Sequence, residues 1–241
     1  MTNRVAEIVK MPARAIHSRL RSWRLTRFYK SLSVKDAFAE IYSSGFWGTR
    51  EGARFCSGEG SSREDLVNPY CAEVEEFIDS HHIQNLVDLG CGDFNVGSRL
   101  RTHVQKYTGV DVVPALIEYN QKQFGDKDVA FKCLNIIDDD LPEGELCLIR
   151  QVLQHLSNAQ IELVLPKLAR YEFVIVTEHV YEGPGFKPNM DKPQGPGTRI
   201  PRHSGVYLDA PPFNKKTTAL RVIPVTTNEI LRMVVLEGRP H

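Results

Sequence analysis

The chain has 241 residues, 41% hydrophobic and 25% charged, with 30 Lys and Arg balanced by 30 Asp and Glu. Such values suit one ordinary globular domain with a sizeable core. Zero net charge excludes a global field that recruits nucleic acid. No apolar run reaches the ~18 residues of a membrane span. Five scattered cysteines without a C-x-x-C pair argue against a disulfide framework or a zinc site, and for a reducing, cytoplasmic setting.

The charge balance conceals an asymmetry: residues 1–30 hold eight basic residues and one acid, Glu7. In this arm Val5, Ile8, Val9, Ile16, Leu20 and Trp23 recur at helical spacing, with Pro12 breaking or kinking the helix. Several readings are open for it: peripheral contact with an anionic membrane, docking on a partner or on the following domain, a solvated arm, or an Arg-rich transit peptide. The apolar core of a secretory signal is absent. From Ser33 onward a helix start leads into residues 37–42, stopped by Gly45, and residues 46–63 read as loop. A helix follows over about 64–80, with Val67, Val74, Phe77 and Ile78 on one face.

Strands then alternate with helices. Strands are predicted near 85–89, 107–111, 129–134, 145–149 and 172–178, and helices near 96–105, 114–123 and 158–169. This alternation implies a doubly wound, mostly parallel α/β sheet. Residues 181–214 carry seven of the fourteen prolines and five of the seventeen glycines, which forbids regular helix or central strand. Two strand-like runs close the chain, 219–225 and 231–237.

The most informative stretch is Leu86-Val-Asp-Leu-Gly-Cys-Gly-Asp-Phe-Asn-Val-Gly97. A buried strand ends in an acid, and Gly90 and Gly92 then let the backbone turn sharply and approach a ligand. Asp111 ends the next strand, where a carboxylate can take both hydroxyls of a ribose. A dinucleotide fingerprint needs a third glycine, but Asn95 stands there, and Asp93 puts negative charge where a pyrophosphate would sit. This disfavours a nicotinamide-dependent oxidoreductase and suits a cationic ligand.

The stretch Asp88-Leu-Gly-Cys-Gly92 resembles motif I of the class I S-adenosylmethionine-dependent methyltransferases, and Asp111 falls where that superfamily binds the ribose. The resemblance implies a seven-stranded Rossmann-like methyltransferase fold with an antiparallel last strand, and S-adenosyl-L-methionine as cofactor. It places Asp88, Gly90, Cys91, Gly92, Asp93, Asp111 and Val112 around the cofactor. Asn135 and Ile136, at the end of the third strand, flank the adenine; Asn135 stands where an Asp is frequent. Arg150 and Gln151 follow the fourth strand and face the methionine part, Gln151 replacing a frequent acid. Further elements are Ile41-Tyr42, Trp47-Gly48, Ser57-Gly-Glu-Gly-Ser61, Leu153-Gln-His155-Leu-Ser157, Asn189-x-Asp191, Arg199, Tyr207-Leu-Asp209 and Pro212-Phe213. Together they resemble bacterial methyltransferases found with polysaccharide and glycan biosynthesis.

A sugar hydroxyl needs a general base near neutral pH. His155, after the fourth strand, is the first candidate, and His179, two residues beyond the fifth strand's apolar run, the second. His203 and Asp209 could serve as base or substrate contact; Asp209 is the third catalytic candidate. In the resembling proteins the segment before motif I closes over the cofactor's carboxylate. That role falls to Ser57 and Gly58, with Arg54 supplying charge. The 181–214 segment is expected to act as a substrate lid, using Tyr181, Phe186, Arg199, Arg202, Tyr207 and Phe213 on a sugar ring or an anionic glycan. No compact His/Asp/Glu cluster argues for a metal. The leading expectation is O-methylation of a sugar or other hydroxylated small molecule. An N- or carboxyl-methyltransferase and a catalytically silent cofactor-binding scaffold are the alternatives.

Overall fold

The computed structural model describes residues 24–236. Most of the predicted basic arm, including Pro12, lies outside the described residues. Of the arm, residues 24–31 are helical, with Leu25 and Phe28 exposed and Tyr29 buried. Helix α1 (Val34–Ser43) begins where expected, the Ser33 hydroxyl accepting from the Asp36 amide. Helix α2 (Glu64–His81) turns Leu66, Val67, Tyr70, Val74, Phe77 and Ile78 inward.

The remaining elements are β1 (Asn85–Leu89), α3 (Gly97–Leu100), β2 (Lys106–Asp111), α4 (Pro114–Phe124), β3 (Val129–Cys133), β4 (Leu146–Arg150), α5 (Asn158–Val164), β5 (Phe173–Tyr181), β6 (Thr217–Thr226) and β7 (Glu229–Leu236). They form one seven-stranded sheet in the order β3-β2-β1-β4-β5-β7-β6. β1 to β5 run parallel, and β7 inserts antiparallel between β5 and β6. This is the doubly wound, mostly parallel sheet expected from the alternation, with the seven strands and the antiparallel last strand that the resemblance implied.

Strand alternation sends side chains to two cores. Val87, Leu89, Val110, Cys147, Ile149, Val174 and Val176 face one, together with Phe38 and Ile41 of α1. Leu86, Tyr107, Leu146, Leu148, Ile175 and Met233 face the other, against α2. The first core also takes in Val206, Leu208 and Phe213, so the proline-rich segment is packed against the sheet.

Two helices are shorter than predicted. The run at 96–105 is α3 plus a 3-10 turn at Arg101–His103. The run at 158–169 changes to 3-10 after Val164, where Pro166 lacks the N–H an α-helix needs. β5 is longer than predicted. Its antiparallel partner β7 pairs with it as far as Tyr181, four residues past the end of its pairing with β4. His179 therefore lies within a strand, not beyond it.

Candidate active site

The sheet order reverses between β1 and β4, and ligands of open α/β sheets bind at the carboxyl ends of strands beside such a switch. A cavity of about 530 Å³ opens there, within the roughly 300–1,000 Å³ usual for small-molecule sites. Gly90 and Gly92 turn the chain at φ +83° and +55°. A Cβ at Gly90 would run into Val152 Cγ2, and one at Gly92 into Ser57 Oγ. The Gly90 and Cys91 amides donate to the Val110 carbonyl (2.7 and 3.0 Å), which ties the loop to the end of β2.

Asp111 continues that tie. Its two oxygens accept from the amides of Gly92 (3.2 Å) and Val113 (3.1 Å), and burial pushes its pKa up to about 6. Asp88 is buried as well, accepts the Tyr107 hydroxyl, and is also raised by burial to about 6. Ser57 grips the loop from outside: its amide donates to Asp93 (3.1 Å), and its hydroxyl accepts from the Asp93 amide (2.8 Å). Both oxygens of Asp93 thus meet backbone amides, those of Ser57 and Asn95. The Ser57–Ser61 stretch is a fixed edge of the site, with a 3-10 turn at Glu59–Ser61.

Arg150 ends β4 with its guanidinium 4.7 Å from the centre of the Tyr70 ring and donates to the Gly60 carbonyl (2.6 Å). Its buried Nε has no hydrogen-bond partner among the described residues. Val112, Asn135, Ile136, Gln151, Ser57 and Gly58 line the same cavity as Asp88, Gly90, Cys91, Gly92, Asp93, Asp111 and Arg150. Of the residues expected around a cofactor, all but Arg54 are therefore brought together. Arg54 stacks over Phe55 and Tyr119, and the basic side chains on the cavity wall are Arg63, Arg150 and the two histidines.

Past β4 the chain makes a 3-10 turn at Leu153–His155. Two buried ions hold this turn: Glu178, which sequence reasoning missed, and Arg199, which it assigned to the substrate. Glu178, on β5, accepts from the amides of Val152, Leu153 and Gln154 (3.2, 2.9 and 3.0 Å). Arg199 donates to the carbonyls of Leu153, Gln154 and Leu156 (3.4, 3.1 and 2.9 Å). Burial pushes Glu178 up to about 7 and Arg199 down to about 10, each shift partly offset by the opposite charge. The signal available in the sequence was weak: one acid just after the apolar run of β5, between Thr177 and His179.

His155 and His179 both line the cavity. His155 sits 5.0 Å from the Trp47 ring and 6.3 Å from that of Phe38. Burial first, then the neighbouring charges of Lys192 and Arg199, pushes its pKa down to about 3. His179 Nε2 lies 3.0 Å from Glu229 Oε2 on β7. Glu229, which also lines the cavity, was missed by sequence reasoning because only the β5–β7 register brings it there.

Asp209 is corrected. Its carboxylate is held by both terminal nitrogens of Arg232 (3.1 and 2.7 Å) and does not line the cavity. His203 stacks on Tyr181, also away from the cavity. The expected sugar-binding set in 181–214 is corrected too: Arg199 and Tyr207 are buried as supports, and Phe213 belongs to the core. Only Pro196 and Thr198 of that segment reach the cavity. Asn189 and Asp191 are internal ties, Asn189 to the backbone of Tyr207 and Pro211 and Asp191 to the Asn158 amide. Among the described residues, no group of three or more His, Cys, Asp or Glu is arranged to hold a metal ion.

No family model matches the chain, and no curated protein matches it in sequence. Solved structures do match in fold. Magnesium protoporphyrin IX methyltransferase (ChlM) from Synechocystis PCC 6803, with bound S-adenosyl-L-homocysteine, aligns with a TM-score of 0.57 at 10% identity over 86% of this chain and 100% of that one. The N-methyltransferase NodS from Bradyrhizobium japonicum WM9 aligns at 0.55 and 12% over 74% and 99%. The N-terminal domain of EvdMO1, crystallised with S-adenosyl-L-homocysteine and D-fucose, aligns at 0.52 and 15% over 79% and 89%. The seven-stranded sheet described above has the fold of such methyltransferases.

Proposed function

We propose that this protein methylates a hydroxyl of a sugar or other hydroxylated small molecule, using S-adenosyl-L-methionine. The observation that carries the reading is the convergence of the glycine loop, Asp111 and Arg150 on one cavity. These residues fit the cofactor's chemistry. In this reading Asp111 takes the ribose hydroxyls, Val112, Asn135 and Ile136 flank the base, and Asp88 and Asp93 favour a cation. Arg150 answers the carboxylate in place of Arg54. When bound, the cofactor supplies a methyl group on a positively charged sulfur, and displacement there needs only alignment and proton removal. Phe38, Tyr42 and Trp47 wall the cavity with rings that suit the apolar face of a sugar. The D-fucose present with EvdMO1 supports the same acceptor class.

Calorimetry tests the cofactor: S-adenosyl-L-homocysteine binds and NAD does not. Asp111→Ala weakens that binding by about tenfold or more, as expected for loss of a charged hydrogen-bond acceptor worth ~1.5–3 kcal/mol. Unchanged affinity removes the ribose role. Transfer of a labelled methyl group into a polar-metabolite extract separates an enzyme from a silent scaffold. The basic arm supports a further proposal, peripheral contact with anionic lipid, since Arg24 and Lys30 flank the exposed Leu25 and Phe28. Sedimentation with phosphatidylserine but not phosphatidylcholine vesicles is the expected result, and equal recovery with both removes the proposal.

A further inference from the structure

Two histidines reach the cavity, and their hydrogen bonds assign them different protons. β5 continues past the end of β4, so the His179 amide has no strand on that side to donate to. It donates instead to Gln154 Oε1 (3.3 Å). That contact fixes the orientation of the Gln154 amide and leaves its NH₂ group 3.3 Å from His155 Nε2. An amide NH₂ only donates, so His155 Nε2 must accept, and the His155 proton is on Nδ1. His155 Nδ1 is enclosed and makes no hydrogen bond of good geometry among the described residues; the nearby backbone of Gly195 and Gly197 favours a protonated ring but is outweighed by burial and by Lys192. His155 thus has its lone pair occupied and sits in a position hostile to a second proton. Apolar rings cover it, and Lys192 and Arg199 face it with positive charge.

His179 has the opposite arrangement. Its Nε2 points at the Glu229 carboxylate, which only accepts, so the His179 proton is on Nε2. Its Nδ1 is left with a free lone pair, making no hydrogen bond among the described residues. The side chain is 20% exposed, so a proton taken up there has a route to water. The charged groups that act on it are Glu229 from β7, which favours the imidazolium, and Arg63 ahead of α2, which opposes it. Gln154, from the 3-10 turn, is neutral. Burial is the largest influence and lowers the His179 pKa, so the ring is neutral near neutral pH and ready to accept.

We infer that His179 is the general base and Glu229 its positioning residue, and that the acceptor hydroxyl binds at the end of the cavity lined by Arg63, His179, Thr226 and Glu229. This rests on the methyl-transfer reading above. The acceptor's hydroxyl oxygen forms the new bond to the methyl carbon as the carbon–sulfur electron pair returns to sulfur. The hydroxyl proton passes to His179 Nδ1, and Glu229 balances the resulting imidazolium. The products are a methyl ether and a neutral thioether, with the proton released to solvent.

Nitrogen-15 NMR of the full chain, with and without S-adenosyl-L-homocysteine, reads the proton positions directly. The expected result is a titrating His179 with its proton on Nε2, and a His155 with its proton on Nδ1 that stays neutral to about pH 5. The reversed pattern overturns the inference without any assay of turnover. His179→Ala should lower labelled methyl transfer into the polar-metabolite extract by about 100-fold or more, with affinity for S-adenosyl-L-homocysteine unchanged. Glu229→Gln should lower kcat, leave the KM for the cofactor in place, and move the acid limb of the pH profile to lower pH. Full transfer by His179→Ala overturns the base alone, whereas a wild-type chain that binds no S-adenosyl-L-homocysteine overturns the underlying reading.

Discussion

The two halves of the cavity wall are built by different means. The half around β1 and β2 is made by short-range chemistry: two glycines, an acid two residues before the first, and an acid closing the next strand. Its ties are mostly between backbone amides and carboxylates at the ends of paired strands. The half past β4 is made by long-range ionic clamps. Glu178 and Arg199 approach the 3-10 turn from β5 and from the proline-rich segment and meet its amides and carbonyls from opposite ends. A half whose ties join the ends of adjacent paired strands needs those strands in register. A half built by clamps needs the whole fold first, and it concentrates its stability in two side chains.

That contrast sets the largest expected effect. Arg199→Met strands the Glu178 carboxylate without its counter-charge and takes a donor from the carbonyls of Met190, Leu153, Gln154 and Leu156, of which Leu153 keeps the Leu156 amide. We expect a loss of about 3–5 kcal/mol in denaturant unfolding, the scale for breaking a buried charge arrangement from one side. A loss below 1 kcal/mol would show that the turn is held by its own local bonds. On the other half, Gly90→Ala combines a positive φ with a collision at Val152, costing about 1–3 kcal/mol. Because Val152 leads into the clamped turn, the substitution also joins the halves: Gly90→Ala and Arg199→Met together should be non-additive. Strict additivity would make the two halves independent.

The same contrast explains what the sequence disclosed. Strand positions, the glycine loop and the acid that closes β2 were legible because period-two burial and glycine spacing are local signals. The residues that the resemblance assigned to the cofactor, Arg54 excepted, line the cavity. The proline-rich segment was legible as irregular but misread in purpose. Arg199 and Tyr207 look like ligand-binding side chains in a list of residue types, yet burial makes them supports. Asp209 was misread because its partner, Arg232, lies on a strand whose place in the sheet order is not written in any local pattern. Glu229 was missed on the same ground.

A pH measurement sharpens the comparison within the local half. Burial raises Asp88 from 3.8 to about 6, so the fold favours its protonated form. The sign follows: the folded state is penalised only as pH rises through the folded pKa, and the penalty is absent below about pH 4. Asp88→Asn keeps an oxygen for the Tyr107 hydroxyl and removes the titration. Relative to wild type it should gain about 1–3 kcal/mol at about pH 8 and nothing at about pH 4. A gain equal at both values would trace the effect to packing instead of charge.

The smallest effect asks whether the clamped half has any local support of its own. Ser157 caps α5 immediately after the turn: its hydroxyl accepts from the Gln160 amide (3.3 Å), and the Gln160 side chain accepts from the Ser157 amide (2.9 Å). Both bonds lie one residue beyond Leu156, whose carbonyl belongs to Arg199. Ser157→Ala removes an ordinary helix cap worth about 1 kcal/mol. If Arg199 alone fixes the turn, the variant loses that amount in unfolding and binds S-adenosyl-L-homocysteine as wild type does. If affinity falls with stability, the cap and the clamp act as one unit, and the 3-10 turn depends on the start of α5 as much as on its buried ions.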